Sequence, residues 1–300
     1  MAKFTLKSNR QGFTKEDLDA VSEFQRKAGI LTIGGEKIEG VKPADLSSKG
    51  EMIGNGGRAP VHRIFCNGYV IAAKTLHFST ISELKRIREE LEILETCGNC
   101  PYIVQGYGFV MEDLREFQTT LMAVQICMEQ MATCCERVRR ILLQRNKTKL
   151  WVKQNFPEYV IGRIVTSVLR ALDFLKQRDI RHDDIKLANI LLGWEGNVKL
   201  CDFGKTERQE IQINEADLTG IVYSVKEMKG IDDTTNTKMN EESYSPELLE
   251  FIKACENQKS FNELKDLTFF REYDAHGDET AKDSEGSHSV GLWITNVLNT

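Results

Sequence analysis

No stretch of this chain is apolar over the roughly 20 residues needed to cross a bilayer. No basic run is dense enough to offer a nucleic-acid surface, and 40 Lys and Arg against 45 Asp and Glu leave a net charge of −5. Neither membrane nor nucleic acid is therefore an expected partner. The opening residues, MAKFTLKSNRQGF, lack the apolar core of a signal peptide, so the expected setting is the reducing cytoplasm or the nucleus. Zinc spacing is missing too. Cys97 and Cys100 form a C-x-x-C, Cys134 and Cys135 are the nearest second pair, and no His follows at finger distance. The eight cysteines are expected to be thiols rather than metal or redox centres. What is present is the composition of a folded chain, 41% hydrophobic and 28% charged, long enough for one large domain or two lobes.

The chemistry is densest between His182 and Gly204, HDDIKLANILLGWEGNVKLCDFG. Asp184, Lys186 and Asn189 precede an apolar run, a Gly-containing turn, a second apolar run and Asp202-Phe203-Gly204. A bare Asp-Phe-Gly is an ordinary turn after a buried strand. D-x-K-x-x-N at this distance ahead of it is far more specific. The block resembles the catalytic region of protein kinases. That resemblance makes Asp184 the acceptor of the substrate hydroxyl proton, with Lys186 beside it, and makes Asn189 and Asp202 magnesium ligands.

Upstream, GEMIGNGGRAP runs from Gly50 to Pro60. Gly54, Gly56 and Gly57, with Ile53 and Asn55 among them, would let backbone N–H groups approach phosphate oxygens; a Gly-rich hairpin with no ligand is the competing reading. Next, YVIAAK is an apolar strand ending in Lys74, and a buried lysine needs an anionic partner. Residues 82–94 read as a helix carrying Glu89, Glu90 and Glu92. Glu90 lies where the strand-lysine ion pair of kinases needs an acid, which would leave Lys74 to hold the α and β phosphates of ATP; Glu89 and Glu92 compete for that role.

Residues 14–28 carry Leu18, Val21 and Phe24 at helical spacing and stop at Gly29, which predicts one amphipathic helix. Ahead of it, Lys3, Leu6 and Lys7 read either as a disordered tail or as a docking peptide. Leu31 to Gly35 reads as a strand and turn, Pro101–Val104 and Leu121–Met128 as two further strands, and residues 157–176 as a long buried helix. Strands with one helix come first and helices later, so the expected fold is α+β and two-lobed, protein-kinase-like, with a small β-rich amino-terminal lobe and a helical carboxy-terminal lobe. The expected division is an extension at 1–45, a kinase-like domain at 46–272 with lobes meeting near 130, and a tail at 273–300. Residues 231–243 read as a polar loop.

Longer stretches sharpen the likeness: GILTIGGEKIEG, DLSSKGEM, YVIAAK, CPYIVQGYG, ICMEQMATCCERV, RALDFLK, HDDIKLANILL, NVKLCDFG, FNELKDLTFFREY and VGLWITNVL. Together they resemble the MAP kinase kinases, most closely the stress-activated, JNK-activating branch. The resemblance implies an ATP- and magnesium-dependent kinase acting on Thr and Tyr of a stress-activated MAP kinase. It implies that Glu129 to Met131 form the hinge whose backbone holds adenine, that Met128 closes the back of the pocket, and that Ala72 and Leu191 sandwich the ring. It also places Cys134 at the pocket rim and makes the tail around Trp293 a docking site for an upstream MAP kinase kinase kinase.

Four departures point one way. Asp183 replaces the Arg of the family's His-Arg-Asp, which pairs with a phosphorylated activation loop, so a pairing site for phosphate is expected to become repulsive. Only 12 residues separate Gly204 from Asp217, so the activation segment is short, with Thr206 as its one hydroxyl side chain and no Ala-Pro-Glu substrate platform. CENQKSFNEL lacks the Arg that would pair with that platform's Glu. Met52 or Ile53 replaces the first glycine of the loop, and Pro60 sits where its second strand begins. Three readings stay open: a working kinase freed from loop phosphorylation, a nucleotide-binding pseudokinase of the same cascade, and a product missing an exon between Gly204 and Ala216.

Overall fold

The computed structural model describes residues 15–46, 50–56, 59–113, 122–148, 155–208, 215–230, 244–274 and 282–299. Helix α1 (Lys15–Lys27) opens the described chain, close to the predicted bounds. It buries Val21 and Phe24, the latter stacked on Phe109 with centroids 4.3 Å apart. Gly29 ends it at φ +79°, where a Cβ would lie 2.7 Å from the Val41 carbonyl oxygen, so the stop requires glycine. The side chain of Leu18, and the residues ahead of Lys15, lie outside the described set.

Seven antiparallel strands form the amino-terminal sheet: β1 (Ile30–Ile33), β2 (Glu36–Glu39), β3 (Met52–Gly56), β4 (Ala59–Cys66), β5 (Tyr69–Phe78), β6 (Gly106–Asp113) and β7 (Met122–Glu129). Their order is β2-β1-β6-β7-β5-β4-β3. The β1–β2 hairpin, within the segment set apart as an extension, hydrogen-bonds to this sheet through β1 and β6. Strand alternation sorts β5 in two: Ile71 and Ala73 join an apolar cluster with Leu31, Ile33 and Cys127, while Ala72 joins the main core. Lys74 follows Ala72 onto the second face.

Helix α2 (Ile81–Thr96) crosses behind the sheet, started by a capping box between Thr80 and Glu83. The strand expected at Pro101–Val104 is corrected: this stretch is a turn with a single bridge, Ile103 to Leu200, flanked by bonds from Val104 N–H to Leu200 O and from Leu200 N–H to Tyr102 O. The Cys100 N–H is taken by Cys97 O and Pro101 has no N–H, so a ladder does not extend through it.

The second lobe holds β8 (Thr133–Cys134), α3 (Cys135–Thr148), α4 (Glu158–Lys176), β9 (Ile180–Arg181), β10 (Ile190–Leu192), β11 (Val198–Leu200), β12 (Glu207–Arg208), α5 (Glu215–Met228), α6 (Pro246–Glu256), α7 (Phe261–Lys265), α8 (Thr268–Tyr273) and α9 (Lys282–Asn299). Helix α4 is its axis, and the predicted apolar positions Val160, Ile161, Ile164, Val168, Leu169, Leu172 and Leu175 are all buried. Gly162 lets Tyr273 press onto α4; a Cβ there would lie 2.2 Å from the ring. Helix α9 returns the tail to this lobe, burying Val290, Ile294 and Val297 and setting Trp293 against Phe156 at 5.1 Å. The polar stretch at 231–243 lies outside the described residues.

Candidate active site

Lys74 is the pivot. It is only 9% exposed, and its ammonium lies 2.6 Å from Glu90 Oε1 and 2.7 Å from Asp202 Oδ1. Burial works against its charge, but the two carboxylates outweigh burial and raise its pKa. Asp202 is held low: burial pushes its carboxyl up, and Lys74 with the Gly204 N–H brings it below the usual range. Of the three candidate acids on α2, only Glu90 is buried and meets Lys74; Glu89 and Glu92 are exposed. The capping box and the helical period, with Leu84, Ile87 and Leu94 packed inward, turn Glu90 toward the sheet.

Facing this trio, β10 and β11 form the hairpin that spaces Asn189 from Asp202. Asn189 donates its amide to the Asp184 carbonyl at 2.8 Å and to Oδ2 at 3.1 Å, which leaves its amide oxygen as the atom to meet a cation. Asp184 Oδ2 also takes Lys186 at 2.7 Å, while Oδ1 takes Lys205 at 2.8 Å. Burial pushes the Asp184 carboxyl up, but the two lysines prevail and bring it to about 2. Asp202 sits in the left-handed region at φ +68°, a strained turn that aims its carboxylate back at Lys74.

The catalytic loop is anchored from below. Asp217, on α5, accepts the backbone N–H groups of His182 (3.3 Å) and Asp183 (2.9 Å). Burial raises its carboxyl to about 6, against the pull of those donors. Buried His182 bonds Cys201 O through Nε2 at 3.1 Å and receives the Asp184 N–H on Nδ1 at 3.3 Å. Asp183, expected to repel, is instead neutralised locally: Arg181 gives Nε and Nη2 to its Oδ2 at 3.0 and 2.8 Å. The charge lost at one position returns two residues earlier.

The expected adenine residues come together. Ala72 pairs with Met128 across β5 and β7, Leu191 pairs with Cys134 across β10 and β8, and Ala72, Met128, Leu191 and Ile53 all pack with the main core. Ile53 is half-buried and Met52 is 57% exposed, so Ile53 is the one facing the cleft. Met131 is buried. Glu129 is committed to structure: its N–H goes to Gln105 O at 2.9 Å and its carboxylate to Lys199 at 2.6 Å. In the glycine loop, Gly54 has only ordinary contacts opposite Val61, whereas a Cβ on Gly50 would fall 1.6 Å from the Arg63 carbonyl oxygen. Steric demand thus falls on Gly50. The side chain of Asn55, the surroundings of Gly56 and the whole of Gly57 lie outside the described residues. A separate cavity of about 430 Å³, lined by Phe24, Arg88, Leu91 and Tyr107 among others, contains none of these residues.

A protein kinase domain model matches residues 47–225. The chain belongs to the protein kinase family. Among curated relatives, this chain is 39% identical over 184 residues to dual specificity mitogen-activated protein kinase kinase jkk-1 of Caenorhabditis elegans, covering 61% of this chain and 38% of that protein. It is 35% identical over 188 residues to mek-1 of the same organism, covering 61% and 48%. To human dual specificity mitogen-activated protein kinase kinase 7 it is 32% identical over 205 residues, covering 65% and 44%. The chain spans less than half the length of each of these relatives.

Sequence reasoning missed three residues of this site. Asp217 is visible in the sequence only as the residue that bounds the short segment, and its reach back to the loop is not. Arg181 and Lys205 flank the motifs, and their ion pairs depend on backbone turns that the motif spacing does not report.

Proposed function

We propose that this chain is an ATP- and magnesium-dependent dual-specificity protein kinase of the MAP kinase kinase type, acting on a stress-activated MAP kinase. The observation that carries the reading is Lys74 bridging Glu90 and Asp202, which joins the two lobes at the point where a nucleotide's phosphates would lie. The donor set fits the ligands: magnesium takes oxygens, usually one or two carboxylates completed by phosphate oxygens, and Asp202 and Asn189 offer such a pair. Lys74 would hold the α and β phosphates, the backbone after Met128 the adenine, and Asp184 the proton of the acceptor hydroxyl. ATP supplies the phosphoryl group and magnesium the neutralising charge. The setting that goes with this reading is the cytoplasm or nucleus, and the tail is the proposed contact for an upstream kinase.

A second reading, a nucleotide-binding pseudokinase in the same cascade, is favoured by the 12-residue gap before Asp217 and by Lys205 on Asp184. Positioning of the acceptor supplies much of the rate in this chemistry. The two separate in one assay with labelled ATP, magnesium and an unphosphorylated stress-activated MAP kinase. Transfer that vanishes in Asp202→Asn supports the kinase; thermal stabilisation by nucleotide without transfer supports the pseudokinase. Absence of both would remove the nucleotide reading.

A further inference from the structure

Lys205 follows Asp202-Phe203-Gly204, and the bond from Thr206 N–H to Phe203 O at 3.2 Å closes a turn that swings it back over the catalytic loop. Its ammonium reaches Asp184 Oδ1 at 2.8 Å, while Lys186 and Asn189 occupy Oδ2. Oδ1 is thus the oxygen left for an acceptor hydroxyl, and Lys205 holds it. Both lysines are about half exposed, 47% for Lys186 and 50% for Lys205, whereas the Asp184 side chain is only 13% exposed. The three groups carry one net positive charge at the mouth of the cleft. Two ammonium groups around one carboxylate suit a terminal phosphate, because each lysine has three donors and spends one on Asp184.

We infer that Lys205 stands in for an acceptor: it holds the Asp184 oxygen that an incoming hydroxyl would use and pairs with the terminal phosphate of a bound nucleoside triphosphate. The chain then favours ATP over ADP and releases its phosphoryl group reluctantly. This rests on the nucleotide reading above and assigns to Lys205 a role separate from that of Lys74.

The test is calorimetric titration of the full chain with Mg·ATP and with Mg·ADP, for wild type, Lys205→Met and Lys205→Arg. One lost charge-assisted bond at a half-exposed site predicts that Lys205→Met weakens ATP roughly fivefold to tenfold. ADP affinity should hold in that variant, which also reports that it is folded, and Lys205→Arg should keep the wild-type ratio. At saturating ATP, transfer by Lys205→Met should equal or exceed that of wild type. An unchanged ATP-to-ADP ratio in Lys205→Met, or transfer that falls at saturating ATP, overturns the inference while leaving nucleotide binding standing. Wild type that takes up neither nucleotide removes the nucleotide reading and this inference with it.

Discussion

On the nucleotide side of the cleft, Lys74 and Asp202 meet from 128 positions apart and close under the core, whereas on the acceptor side the partners of Asp184 come from within 21 positions. Two of those partners are lysines half open to water. The first arrangement exists only when both lobes are folded. The second needs little more than a turn and a strand end. A buried charge network is costly to disturb, since each member left without its partner keeps its desolvation penalty. Half-exposed pairs contribute little to stability and can change freely. That difference accounts for a chain that keeps the buried Lys74–Glu90–Asp202 network while the surroundings of Asp184 depart from the family pattern.

The comparison breaks most visibly at Lys74. Lys74→Met leaves Glu90 and Asp202 facing each other without their shared cation, so urea denaturation should show a loss of about 3 kcal/mol. The same variant should lose the nucleotide-induced thermal shift; an unchanged shift would remove Lys74 from the phosphate site. A smaller effect is expected at Asp217, whose carboxyl lies near 6 when folded. Between about pH 4 and 6 the folded chain keeps a proton that the unfolded chain has released, so stability should fall as pH rises through that window and level off above it. The fall attributable to this group is at most about 3 kcal/mol, read as the slope that Asp217→Asn removes from a pH series of denaturation curves. Matching slopes in the two proteins would mean that the group is not held near 6. Smallest is the acceptor-side pair: a double-mutant cycle on Arg181→Ala and Asp183→Asn should give a coupling of about 1 kcal/mol. A value near zero would return Asp183 to the role of a repulsive substitution.

Most of the fold was legible because its signals are periodic. The seven apolar positions predicted to be buried on α4 and the alternation that sends Ala72 and Lys74 to one face follow from spacing alone. The Lys74–Glu90 pair was legible because a lysine in an apolar strand and an acid on the next helix imply each other. Pro101–Val104 was misread because four apolar or aromatic-flanked residues look alike as strand and as buried turn. Lys205 and Arg181 were passed over because a charged residue beside a motif carries no period. Their partners are set by the left-handed backbone at Asp183 and Asp202, with φ of +57° and +68°, which composition does not announce.

The grip of Asp217 on the His182 and Asp183 backbone changes what the missing residues mean. With the loop pinned directly to α5 and Arg208 paired with Ile180, the described residues on either side of the short segment are both held by this lobe. Splicing a full-length activation segment from a related kinase into that span should therefore leave the Lys74–Glu90–Asp202 network intact, making this chain a host in which a substrate platform can be tested against an already anchored loop.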